Sequence, residues 1–84
     1  MLNMEKVTQQ TPRKVVDRAV SFFGPGGWDL EVVESDACCA RFRGSGGFVI
    51  VQTEELPTGG KTKVVVQGRE VDPTIREFLR GLPD

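Results

Sequence analysis

Residues 36–51 read DACCARFRGSGGFVIV, from Asp36 to Val51. In the first half, Cys38, Ala40 and Phe42 alternate with Cys39, Arg41 and Arg43. A period of two, with apolar groups on one side and arginines on the other, reads as a half-buried strand. Gly44-Ser45-Gly46-Gly47 interrupts it as a turn does. The chain then resumes as GFVIVQTEE, 47–55, a β-branched run. Two strands joined by a glycine turn make a hairpin, and neighbouring segments extend it on both sides.

Upstream, WDLEVVES, 28–35, sets Trp28, Leu30 and Val32 against Asp29, Glu31 and Val33. Downstream, KTKVVVQGRE, 61–70, is another β-branched run, reached through a Pro57-Thr58-Gly59-Gly60 turn. Register follows from matching faces, because a slip of one residue turns every side chain over. Placing Glu31 opposite Arg41 brings Asp29 to Arg43, Val32 to Ala40 and Leu30 to Phe42, so charges pair on one face and apolar groups on the other. The same ladder carries Phe42 to Phe48, Ala40 to Ile50, Ile50 to Val66 and Glu55 to Lys61. The predicted inner face is Trp28, Leu30, Val32, Cys38, Ala40, Phe42, Phe48, Ile50, Val64 and Val66. The predicted outer face holds Asp29, Glu31, Arg41, Arg43, Lys63, Gln67 and Arg69, crossed by an aliphatic row of Val33, Cys39, Val49, Val51 and Val65.

Two helices flank these strands. Thr11-Pro12 is a cap followed by proline in the first turn, where its missing N–H costs nothing. Val15, Val16, Ala19, Val20, Phe22 and Phe23 then recur at helical spacing until Gly24-Pro25 stops them, which predicts a helix over 12–23. Asp72-Pro73 repeats the start, and Ile75, Phe78, Leu79 and Leu82 form the stripe of a second helix at about 73–80. A weaker strand is expected around 4–9. The sum is one two-layer α+β domain over 1–84. Its antiparallel sheet has four to five strands in the order β-α-β-β-β-β-α, with both helices on one face.

Composition narrows the function. The 84 residues carry 11 basic and 12 acidic groups, a net charge of −1 that draws the chain to neither nucleic acid nor anionic lipid. Histidine and tyrosine are both absent, so the commonest general base and the commonest transition-metal ligand are missing. Catalysis would fall to carboxylates, lysines or a thiolate. Two cysteines make no secreted disulfide framework, the opening MLNMEKVTQQ has no signal-peptide core, and no run reaches membrane-span length. A cytoplasmic setting is expected.

Candidate sites follow from the faces. Adjacent strand residues point oppositely, so Cys38 is expected in the core and Cys39 on the outer face. A disulfide between such neighbours would strain the backbone, and a metal would need further ligands that no histidine supplies. A reactive Cys39 beside Arg41 is the thiol-enzyme reading. Gly60-Lys61-Thr62 ends like a phosphate-binding loop, but Glu55 stands where the first glycine belongs and a strand follows. Val33, Cys39, Val49, Val51 and Val65 are the expected dimer or partner interface, since an exposed apolar patch is what association surfaces present. Arg41, Arg43, Lys63 and Arg69 are candidate anion contacts. Nucleic acid is disfavoured there because acids oppose the arginines and no aromatic is expected on that face. Trp28, Cys38, Phe42, Gln52 and Phe78 are the candidate lining of an apolar ligand pocket, with Glu34 and Gln52 as its polar groups.

The element order, a strand, a helix, four antiparallel strands and a closing helix, resembles the helix-grip arrangement of START and polyketide-cyclase-like domains. It also resembles the related TATA-binding-protein-like half-domain. The resemblance spans nearly the whole chain as order of elements alone. It implies a spatial strand order of 1-5-4-3-2, and either a cavity under the long helix or use of the open sheet face. The function expected is a small non-enzymatic binding module without cofactor or metal, homodimeric through the outer sheet face. Carriage of an apolar ligand and nucleic-acid binding through the basic face are the alternatives.

Overall fold

In the computed structural model, which describes residues 2–57 and 59–83, the chain runs β1 (Leu2–Thr8), α1 (Pro12–Phe23), β2 (Glu31–Ser35), β3 (Cys39–Gly44), β4 (Gly47–Glu55), β5 (Thr62–Arg69) and α2 (Asp72–Gly81). The strands form one antiparallel sheet ordered β1-β5-β4-β3-β2. The α+β class and element order are those expected, and the weak first strand is real. It lies at the sheet edge beside β5.

Each helix forms where its caps and stripe put it. Thr11 Oγ1 accepts the Lys14 N–H at 3.3 Å, Pro12 opens the first turn, and Val15, Val16, Ala19 and Phe23 are buried against the sheet. In α2, Thr74, Ile75, Phe78 and Leu79 are buried. The C-terminus of α2 exposes carbonyls that need donors. Lys6, inward-facing on β1, donates through Nζ to the Leu79 and Leu82 carbonyls, and Arg18 Nη2 donates to the Gly81 carbonyl at 2.9 Å. A cation is favourable at that end of the helix dipole, which is why a lysine can occupy the core side of an edge strand. Phe23 joins the layers, its ring 5.4 Å from that of Phe42 and 5.1 Å from that of Phe78.

Two parts of the expected register are corrected. In the β3–β4 hairpin Gly44 pairs with Gly47, leaving a two-residue loop of Ser45 and Gly46, with Gly46 at φ +83°. Phe42 therefore faces Val49 and Ala40 faces Val51, one residue away from the expected partners Phe48 and Ile50. The whole of β4 turns over. Val49 and Val51 are 0 % exposed in the core, and Phe48 and Ile50 lie on the outer face. At β4–β5, Val51 meets Val66, and Glu55 meets Thr62 rather than Lys61.

The second correction lies at the start of β2. Trp28, Asp29 and Leu30 belong to the turn after α1: Trp28 N–H donates to the Phe22 carbonyl at 3.0 Å, and Asp29 has φ +59°. Aspartate tolerates that left-handed conformation, and its Oδ1 accepts the Gly26 N–H at 3.0 Å. The break leaves Trp28 55 % exposed instead of inward. β2 itself slides by two residues, so faces are kept but partners change: Glu31 meets Arg43 and Val32 meets Phe42. A bulge at Val33 then brings Glu34 opposite Arg41.

Candidate functional site

Both helices pack on one side of the sheet, so the other side is covered by no element among the described residues. The register arranges it in rows across the strands. One row reads Arg69, Phe48, Arg43, Glu31; the next reads Asn3, Gln67, Ile50, Arg41, Glu34; a third reads Glu5, Val65, Gln52, Cys39. Phe48, Ile50 and Val65 are half-buried, and Val33 at the β2 bulge is 46 % exposed. Val33, Phe48 and Ile50 surround a small depression of about 120 Å³ with Arg41 and Arg43. The charges are partly paired within the face. Arg43 Nη2 lies 3.0 Å from Glu31 Oε2, and Lys63 Nζ lies 3.6 Å from Glu5 Oε2. Exposed pairs of this kind add little stability, but they fix where each sign of charge sits.

Of the expected interface residues, the structure places Val33, Cys39 and Val65 on this face and moves Val49 and Val51 into the core; Phe48 and Ile50 take their places on the outer face. The four expected anion contacts, Arg41, Arg43, Lys63 and Arg69, do share the face. The expected ligand-pocket residues do not converge. Trp28 and Cys38 are exposed, Gln52 points outward, and only Phe42 and Phe78 are in the core. Glu34 is likewise outward, opposite Arg41. Beneath α1 the layer is filled: Val15, Val16, Ala19 and Phe23 meet Ala40, Phe42, Val49 and Val51. An open groove of about 620 Å³ lies instead between the helices, with Phe22 and Phe78 among its lining and Asp17, Arg18 and Glu77 beside them.

Cys38 and Cys39 are joined to each other by a disulfide, against the expectation of one core and one interface thiol. Cys38 precedes β3, in the turn that starts at Asp36, so the strict alternation assumed for both cysteines does not apply. Asp36 Oδ1 accepts the N–H groups of Cys38 and Cys39 at 3.0 and 2.9 Å. This aspartate turn was legible as Ser35-Asp36, but its effect on the cysteines was not. Donor atoms of Asp36, Cys38 and Cys39 lie within 4.8 Å of one another, the one such group of metal-type donors among the described residues. The sulfurs bond each other, so they offer a metal no thiolate.

Among the described residues no helix is long and apolar enough to cross a membrane. A scan against protein-family models finds no match, and a search of curated proteins finds none either.

Proposed function

We propose that this chain is a small non-enzymatic interaction module that binds a second copy of itself through the outer sheet face. The observation that carries the reading is the set of apolar side chains Val33, Phe48, Ile50 and Val65 on a face that no element among the described residues covers, interspersed with both signs of charge. Arg41, Arg43 and Arg69 outnumber Glu31 and Glu34 toward one end of the face, and Glu5 and Glu54 outnumber Lys63 toward the other. A twofold-related copy presents the same patch in reverse, so opposite ends can meet. Five strands averaging about seven residues cover about 550 Å² in projection, near the low end of what a specific interface takes from each partner. A weak, reversible dimer fits that area.

The helix-grip resemblance is part of this proposal. Its two implied uses are a cavity under the long helix and the open face, and the filled layer beneath α1 supports the second. A cytoplasmic setting is also proposed, since two cysteines are too few for the disulfide framework of a small secreted domain.

Sedimentation velocity tests the dimer. The chain is expected to shift from monomer to dimer with a midpoint of about 10 µM, and Ile50→Lys is expected to hold it monomeric with its fold intact. A monomer at concentrations ten times higher, or an Ile50→Lys variant that still dimerises, defeats the reading.

One observation favours a second reading. Phe48 stands in register between Arg43 and Arg69, an aromatic residue with an arginine on each neighbouring strand, where no aromatic was expected. Salt-sensitive binding of a single-stranded oligonucleotide, lost in Phe48→Ala, would favour nucleic acid over the dimer.

A further inference from the structure

We propose that Cys38 and Cys39 are a reversible thiol–disulfide couple that exchanges with small thiols at the tip of the β2–β3 turn. This holds whether or not the sheet face binds a second copy. Three observations lead to it. The bond joins sequence neighbours, so it closes almost no loop and removes little entropy from the unfolded chain; it is no staple for the fold. It is accessible: Cys38 is exposed and Cys39 is half-buried beside it.

The third observation is that the turn is held by bonds that do not involve sulfur. Asp36 Oδ1 accepts both cysteine N–H groups, and Asp36 N–H donates to the Cys39 carbonyl at 2.9 Å. From β4, Thr53 donates its N–H at 3.1 Å and its Oγ1–H at 2.7 Å to the Cys38 carbonyl. Breaking the sulfur bond therefore leaves both thiols adjacent on an unmoved backbone, ready to close again.

The exchange balances without a metal or cofactor. A small thiolate attacks Sγ of exposed Cys38, the Cys38–Cys39 bond breaks, and Cys39 leaves as a thiolate that takes a proton from water. A second thiolate attacks the added sulfur of the mixed disulfide, releasing Cys38 as a thiolate that is protonated in turn. Two thiols become one small-molecule disulfide, and two electrons pass to the protein. Run backwards, a small disulfide oxidises the pair.

The test is alkylation and intact mass after equilibration in glutathione redox buffers, quenched in acid. The oxidised protein is expected to take no maleimide, and the reduced protein two, through a single two-electron transition. Oxidation of the reduced monomer should regenerate a tryptic peptide 19–41 two hydrogens lighter. Circular dichroism should be the same in both states. Three results would overturn the proposal: two free thiols that persist under oxidising glutathione, disulfide-linked oligomers in place of the internal bond, or unfolding on reduction. Cys38→Ser gives an independent reading, since the remaining thiol should stop at a stable glutathione adduct; oxidation of that variant to a form that blocks maleimide but carries no glutathione mass would also overturn it.

Discussion

Replacing Val51 and Ile50 by threonine, one at a time, asks which side of β4 belongs to the core. Val51 is 0 % exposed and lies between Ala40 of β3 and Val66 of β5. Threonine keeps the shape of valine but exchanges a methyl for a hydroxyl. Losing that methyl from the core costs about 0.8 kcal/mol, and burying an unpartnered hydroxyl adds about 1–3 kcal/mol. Val51→Thr should therefore destabilise by about 2–4 kcal/mol, which in a domain of this size lowers Tm by roughly 10–30 °C. Ile50 sits on the outer face, half-buried, where a hydroxyl reaches water. Its threonine variant should lose at most about 1 kcal/mol, or roughly 5 °C. Urea and thermal melts followed by far-ultraviolet circular dichroism measure both, at protein concentrations low enough to keep the chain monomeric. With β4 in the opposite orientation the ranking reverses. If Ile50→Thr costs as much as Val51→Thr in the monomer, the register is wrong and the outer-face proposal goes with it.

Two further outcomes are expected. A Cβ added at Gly68 would lie 2.2 Å from Ile75 Cδ1, so Gly68→Ala should cost about 1–3 kcal/mol by overpacking α2 against β5. Ile75→Val removes that methyl and alone costs about 0.5–1.5 kcal/mol; the double variant should lose clearly less than the sum in chemical melts, and strict additivity would show that the two do not meet. Lys6→Met removes the Nζ donor from the Leu79 and Leu82 carbonyls and should cost about 1–2 kcal/mol. Hydrogen exchange should quicken in the last turn of α2, and unchanged protection there would count against this role for Lys6.

The helices and the run of four hairpin-connected strands were legible because each rests on a local signal that nothing nearby contradicts; the place of β1 beside β5 was implied only by the resemblance in element order. Thr11-Pro12 and Gly24 bound α1 as predicted, Asp72-Pro73 starts α2, and alternation in ARFR fixes the inward side of β3. The faces of β4 were not legible. GFVIVQ is apolar on both sides, so its pattern does not choose a face, and the choice passed to the turn. Four residues with three glycines admit more than one loop length. The chain uses Ser45 and Gly46 alone, with Gly44 and Gly47 paired in the strands, and a change of one in the pairing turns β4 over. Trp28 was misplaced for a related reason. Alternation runs unbroken through WDLEV in the sequence, whereas the left-handed Asp29 ends it in the chain. The cysteine bond was set aside as a strain on a strand backbone because Cys38 was assigned to a strand that begins one residue later, at Cys39.

These misreadings share a consequence for the outer face. A β4 that is apolar on both sides is costly on a sheet with one solvated side, and a two-layer domain needs only one of those sides for its core. Turning the strand over exchanged Val49 and Val51 for Phe48 and Ile50 without making the outer face polar. Either orientation leaves bulky apolar groups in the middle of the uncovered face. The apolar character of that face is therefore a property of the β4 composition, while the identity of its residues is a property of the two-residue turn. That separation is why the proposal of a binding surface survives the correction of its residue list. It is also why Phe48, flanked by Arg43 and Arg69, is the position whose substitution discriminates best between a second copy and a nucleic-acid strand as the occupant.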